Sequence, residues 1–259
     1  MTDQVLVERR GDVLVLTLNR PDRLNAAPPA MFVALREALA DLGGARAVLI
    51  QGQGRAFCSG ADVAGVALGG DDPGAAVQAA LTDGYNPALL AIADLSVPVV
   101  SAVRGAAAGI GCSLALAADF CVASDTAYFL QAFVNIGLVP DGGATWMLPR
   151  LIGRSRAYEM MMLGERVSAV QAHDWGLVHQ VVHDDMLDAR ALALAERLAA
   201  GPTVALGLMR RAVHRAMESD YPTALTAEAA AQRAALGSDD GKEGAQAFLQ
   251  KRSPTFTGR

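Results

Sequence analysis

Through the first two-thirds of the chain, short apolar runs are separated by breaks that carry proline, glycine or charge. Their spacing switches between the two-residue period of strands and the longer period of helices. On that pattern, strands are expected at 5–9, 13–18, 47–51, 97–103, 120–123 and 176–182, with helices between them at 29–42, 83–94, 111–118, 154–163 and 169–175. From residue 185 onward, alanine- and leucine-rich segments keep only helical periodicity. Strands alternating with helices argue an α/β core, and a helix-only tail argues an appended layer. Segment 68–84, LGGDDPGAAVQAALTDG, is rich in glycine and acid and is expected to hold little fixed structure.

The most informative break is 104–119, RGAAAGIGCSLALAAD, where a glycine turn follows an apolar strand and feeds an apolar helix. The first N–H groups of such a helix have no intrahelical acceptor, so they suit a phosphate or an oxygen that turns negative during a reaction. A dinucleotide fingerprint needs a third glycine, but Gly109-Ile110-Gly111 is followed by Cys112, Ser113 and Leu114. A nucleotide P-loop is excluded, because no Gly-Lys-Ser/Thr follows. Tight packing of helix on strand would also use glycine here, and this segment alone does not separate that reading from a functional turn.

A second turn, RAFCSGADV at 55–63, follows strand 47–51. The motifs LTLNRPDRLNA (16–26), LVPDGGATWMLPRLIG (138–153), SAVQAHDWGLVHQVV (168–182) and KEGAQAFLQKRSPTF (242–256) fall in order around the two turns. Together they resemble the crotonase, or enoyl-CoA hydratase/isomerase, superfamily nearly end to end. The resemblance implies an α/β spiral of repeated ββα units over 1–200, with a helical region at 201–259 that packs subunits into a homotrimer or a dimer of trimers. It also implies an oxyanion hole around an acyl-CoA thioester, with the N–H groups of Ser59 and Ile110 as donors.

Composition narrows the partners. Across 259 residues there is no proline-, serine- or charge-rich linker, and the net charge of −5 offers no general attraction to nucleic acid or an anionic membrane. Bound CoA, a polyanion, must then be held by local groups. Cys58, Cys112 and Cys121 lack C-x-x-C spacing and read as buried thiols, which fits a reducing cytoplasm. The start, MTDQVLVERR, lacks signal-peptide order, and the uncharged run 105–118 is shorter than the ~18 residues of a membrane span. His173, His179, His183 and His214 form no metal-ligand spacing and are read as packing or surface residues, so no metal is expected.

The reaction depends on which side chains can move protons. Hydratases of the family use two glutamates to hold and activate water, and by the resemblance those positions are Ser113 and Phe133 here. Phenylalanine transfers no proton, and an unassisted serine hydroxyl is a poor base. One acid remains, Asp141 in VPDGGATW; taken alone, Pro-Asp-Gly-Gly is ordinary turn chemistry. However, FLQAFVNIGLVPDGGATWMLPR, with GYNPAL at 84–89, is similar to the 1,2-epoxyphenylacetyl-CoA isomerases of aerobic phenylacetate degradation, in which an aspartate at this position is the catalytic carboxylate.

That similarity implies a proton shuttle with no cofactor beyond the CoA of the substrate. Phe129, Phe133, Val134 and Trp146 are expected as apolar walls that raise the carboxyl's pKa, or else as plain core. By the same resemblance, Arg23, Leu24 and Ala26 approach the CoA phosphates and pantetheine. Ala56, Ala61, Asp62 and Val63 line the adenine end, while Phe248 and Lys251 reach in from a neighbouring subunit. Two rivals stand beside this reading: another reaction on the same scaffold, and a non-catalytic acyl-CoA binder.

Overall fold

The structure, a computed structural model, describes residues 4–62 and 72–259. A six-stranded sheet runs in the order β1 (Val5–Arg10), β2 (Val13–Leu18), β3 (Ala47–Gly52), β4 (Val99–Val103), β6 (Phe120–Ser124), β9 (Gln180–Val182). Only β1 is antiparallel to its neighbour. A second sheet of three very short strands, β5 (Ala106–Ala108), β7 (Tyr128–Leu130) and β8 (Val167–Ser168), stands beside it.

Strand periodicity builds two cores. Leu14, Leu16 and Leu18 of β2 pack on one face with Phe32 and Leu35 of α1 (Pro29–Ala40) and Leu114 of α4 (Ile110–Leu116). Val13 and Val15 face the other way, onto Leu187, Ala191, Ala195 and Ala199 of α7 (Leu187–Ala199). Both faces of the central strands are covered, so these strands read as continuous apolar runs.

The chain repeats one unit: a strand in the large sheet, a short pairing in the small one, then a helix. β4, β5 and α4 form one such unit, and β6, β7 and α5 (Ala144–Tyr158) form the next. Two parallel bridges extend the small sheet backwards, Cys58 to Ala107 and Ala27 to Ala61. The unit before β4 is therefore β3, the bridge at Cys58, and the helical stretch α2 (Pro73–Ala79), a π turn at Ala80–Tyr85 and α3 (Asn86–Asp94).

Several expectations are corrected. Of segment 68–84, residues 73–84 are helical: Asp72 caps them by accepting the N–H of Ala75 at 2.9 Å and Pro73 starts the helix, a strong local signal that the glycine count obscured. Residues 68–71 lie outside the described residues. Strand 176–182 shrinks to Gln180–Val182, because Gly176, at φ 90°, first ends α6 (Ala169–Trp175). Helix 154–163 is preceded by another helical stretch, since α5 starts at Ala144 and contains Pro149, with a non-helical break at Gly153 (φ 76°, ψ 161°). The strands of the small sheet were not expected at all, being three residues or fewer. The C-terminal helices are α8 (Thr203–Ala216), α9 (Tyr221–Gly237) and α10 (Asp239–Leu249).

Candidate active site

Three successive repeats deliver turns to one place: Gly60 to Asp62 and Gly109 to Ile110, which directly follow their small-sheet pairings, and Asp141 to Gly142, which follows β7 after a 3-10 turn at Ala132–Ile136. The first of these turns is fastened to the loop at 20–27. Asn25, fully buried and at φ 53°, donates from Nδ2 to the carbonyls of Gln53 (3.0 Å) and Ala56 (2.8 Å), and its Oδ1 accepts the N–H of Arg20 at 2.8 Å. Sequence reading passed over Asn25; the signal available was an amide side chain inside the otherwise apolar motif LNA.

Ser59 requires a correction. Its N–H donates to the carbonyl of Leu24 at 3.0 Å and is therefore committed to the fold rather than open to a ligand. On either side of Ala61, Ala27 donates to Gly60 O at 2.8 Å and accepts from Asp62 N–H at 3.0 Å. This pairing turns the N–H of Ala61 to the opposite side, toward β5 and the Gly109 turn, and it has no partner among the described residues. Ile110 opens α4, so its N–H has no intrahelical acceptor, and Gly109 before it holds a left-handed φ of 52°. The two turns touch: a Cβ on Gly109 would stand 3.8 Å from Gly60 Cα.

Asp141 is held against the same helix. A Cβ on Gly142 would lie 2.5 Å from Ile110 Cδ1 and 2.7 Å from Ser113 Cβ, so only glycine lets this turn dock, and its φ of 59° suits glycine as well. Ser113 Oγ donates to the Asp141 carbonyl at 3.0 Å, and Ala144 N–H reaches the same oxygen at 3.1 Å. Ser113 thus serves as the anchor of the Asp141 turn. The carboxylate is poorly solvated: Asp141 Oδ1 is buried with no partner among the described residues, and burial raises the pKa to about 6.

The expected walls separate. Phe133 lies over the glycine turn, its ring edge 3.5 Å from where a Cβ on Gly109 would stand. Phe129 is sealed in the core, Val134 is exposed, and Trp146 stacks under Arg150 at 4.3 Å. From Gly142 and Gly143 a cavity of about 870 Å³ runs past Leu89, Trp146 and Met147 to Met209 and Val213 of α8.

The other anticipated residues divide in the same way. Leu24 and Ala26 belong to the loop that fastens the first turn, through Leu24 O to Ser59 and the Ala26 N–H bond to Arg23 O at 2.9 Å. Arg23 is exposed beside them, and Ala56 is buried as an acceptor of Asn25. Asp62 is engaged in an ion pair with Arg20 at 2.8 Å. Val63 lies outside the described residues. Phe248, 83% exposed, lies in the last turn of α10, which packs on α9, and Lys251 lies two residues beyond that helix. Burial pushes the Cys58 thiol up to about 11 and those of Cys112 and Cys121 up to about 12, which makes all three poor nucleophiles.

Comparison with known proteins follows the same outline. The enoyl-CoA hydratase/isomerase family profile matches residues 8–259. The chain is 42% identical over 262 residues to the 1,2-epoxyphenylacetyl-CoA isomerase of Escherichia coli (strain K12), covering 100% of both chains. It is 43% identical over 246 residues to a probable enoyl-CoA hydratase of Rhodobacter capsulatus, covering 95% of this chain and 94% of that one. The crystal structure of an enoyl-CoA hydratase from Polaromonas sp. JS666 superposes with a TM-score of 0.92 at 36% identity, over 98% of this chain and 99% of that one.

Proposed function

The chain belongs to the enoyl-CoA hydratase/isomerase family, and on that premise we propose that it is an acyl-CoA isomerase of the 1,2-epoxyphenylacetyl-CoA isomerase type. The N–H groups of Ala61 and Ile110 hold the thioester oxygen and stabilise the enolate that forms when a proton leaves the neighbouring carbon. Asp141 takes that proton from C2 and returns it at C4, which moves a 3,4 double bond to the 2,3 position without consuming water. The same enolate chemistry serves the opening of a ring epoxide toward a seven-membered oxepin.

The observation that carries this reading is Asp141 itself: a half-buried carboxylate with Oδ1 out of water, its pKa raised to about 6 by burial, on a turn docked against the helix that presents Ile110. A base poised near neutrality can both accept and return a proton. The Rhodobacter relative's name favours water addition, but Ser113 and Phe133 leave no carboxylate pair to hold a water, and the Phe133 ring covers the turn.

CoA enters as part of the substrate, and a proton shuttle requires neither a resident cofactor nor a metal. Ile136 (66%) and Val139 (80%) form an exposed apolar stripe whose burial in a homotrimer, or a dimer of trimers, fits this reading. A cytoplasmic location fits it too; no single helix among the described residues is long and apolar enough to cross a membrane.

Proton NMR in deuterated water, with a 3-enoyl-CoA, tests the proposal. Double-bond migration with wild-type enzyme and none with Asp141→Asn is the expected result. Migration retained in Asp141→Asn, or hydration in place of migration, would overturn it.

A further inference from the structure

Tyr85 is 4% exposed and closes the π turn at Ala80–Tyr85, a helical irregularity that often marks a functional site. Its hydroxyl donates to the carbonyl of Ala27 at 2.7 Å, and its ring packs edge-on against Phe32 with centroids 4.9 Å apart. Ala27 is the residue that holds the first turn from behind: its N–H reaches Gly60 O and its carbonyl accepts Asp62 N–H. Only Ala61 lies between those two grips. The phenol is also close enough to feel the charge of Asp141, which adds to the larger effect of burial in raising its pKa.

One helical turn therefore looks two ways. Tyr85 faces Ala27, while the next residues, Asn86, Leu89 and Leu90, line the cavity that begins at Gly142. We propose that the cavity beginning at Gly142 takes the acyl group and that Tyr85 is a positioning residue coupling the helix that lines it to the Ala61 N–H, so that filling the cavity sets the oxyanion donor in place. Binding energy from the acyl group, remote from the chemistry, is thereby realised at the thioester oxygen, where it lowers the barrier rather than the Michaelis constant. This rests on the oxyanion role given above to Ala61.

Tyr85→Phe isolates the hydroxyl. It keeps the ring on Phe32, and Ala27 O retains its bond from Asp62, so the fold is expected to persist. The readout is the infrared carbonyl stretch of a saturated acyl-CoA labelled with ¹³C at the thioester carbonyl, bound to each enzyme. A saturated ester does not react, so the spectrum is independent of which reaction the enzyme runs. In wild type the stretch should fall relative to free ligand; in Tyr85→Phe part of that downshift should be lost, the remainder coming from the Ile110 N–H. Turnover of the 3-enoyl-CoA should drop about tenfold with KM unchanged, the scale of one hydrogen bond.

Phe32→Leu serves as the packing control. It should lower Tm yet keep the downshift, because it leaves the hydroxyl bond in place. A Tyr85→Phe enzyme with the full downshift and normal kcat overturns the inference while leaving the isomerase reading intact, and so does a Phe32→Leu enzyme that loses as much of the downshift as Tyr85→Phe. A wild-type spectrum without any downshift removes the oxyanion reading and the inference together.

Discussion

Ser113 donates its hydroxyl to the backbone carbonyl of Asp141 at 3.0 Å, and so ties the helix that presents Ile110 to the turn that presents the carboxylate. A serine at this place is small enough for Gly142 to dock against it and polar enough to fix the turn. Ser113→Ala removes only the tie, and Ala144 N–H still satisfies the Asp141 carbonyl. The expected cost is about 1 kcal/mol of stability, read from urea unfolding, with a fall in kcat larger than any change in KM.

Ser113→Glu tests the opposite case. A larger side chain has no room beside Gly142, whose missing Cβ would already stand 2.7 Å from Ser113 Cβ. Overpacking should destabilise the protein by about 1–3 kcal/mol and displace Asp141, so isomerisation should fall without hydration appearing. Product analysis by chromatography distinguishes the two, and a gain of hydratase activity would count against the docking account.

Asp141 links activity and stability to pH in opposite directions. Its pKa in the folded protein is raised from 3.8 to about 6, so the protonated form is the one the fold favours. Its stabilising contribution is complete below pH 3.8 and is lost as pH rises through about 6. Asp141→Asn should therefore raise stability at pH 8 by roughly 2 kcal/mol, a difference that closes near pH 4. Activity needs the ionised form, so kcat/KM should rise with pH through about 6 in wild type. In Asp141→Asn, turnover should fall by about 100-fold or more while binding of a CoA ester persists.

Ile110→Pro deletes one proposed donor at a helix's first position, where proline is otherwise accepted. Loss of that N–H should cost about 3 kcal/mol of transition-state stabilisation, seen in kcat. A folded Ile110→Pro enzyme with normal turnover would remove Ile110 from the oxyanion hole.

On the lining of the cavity that begins at Gly142, Arg210 is 6% exposed and grips Asp119 with Nε at 2.7 and 2.8 Å, while Nη1 donates to the carbonyls of Ala93 and Leu95. This pair, buried on the arginine side and partly open on the aspartate side, fastens α8 to the core. Asp119→Ala leaves the guanidinium charge without its carboxylate, and the expected loss is about 3 kcal/mol, measured by chemical denaturation.

Much of this protein is determined by local pattern. The large-sheet strands at 13–18 and 47–51, the glycine turn before Ile110 and the absence of glutamate at 113 and 133 are all set by residue type and spacing, which act over a few neighbours. The break at Gly153 and the cap at Asp72 were equally local, though the first hid behind Pro149 and the second behind glycine. What only the tertiary structure decided depends on contacts between residues far apart in the chain. Whether Ser59 or Ala61 has a free N–H turns on where Leu24 and Ala27 come to lie, more than thirty residues earlier. The small sheet exists because several chain passes meet, each strand too short to carry a period of its own. The acidity of Asp141 is set by burial against α4, and the link from Tyr85 to Ala27 needs a helix and a loop 58 residues apart to touch. Sequence specifies which groups are present and how each segment bends; which hydrogen bonds are already taken, and how far each charge sits from water, is a property of the packed fold alone.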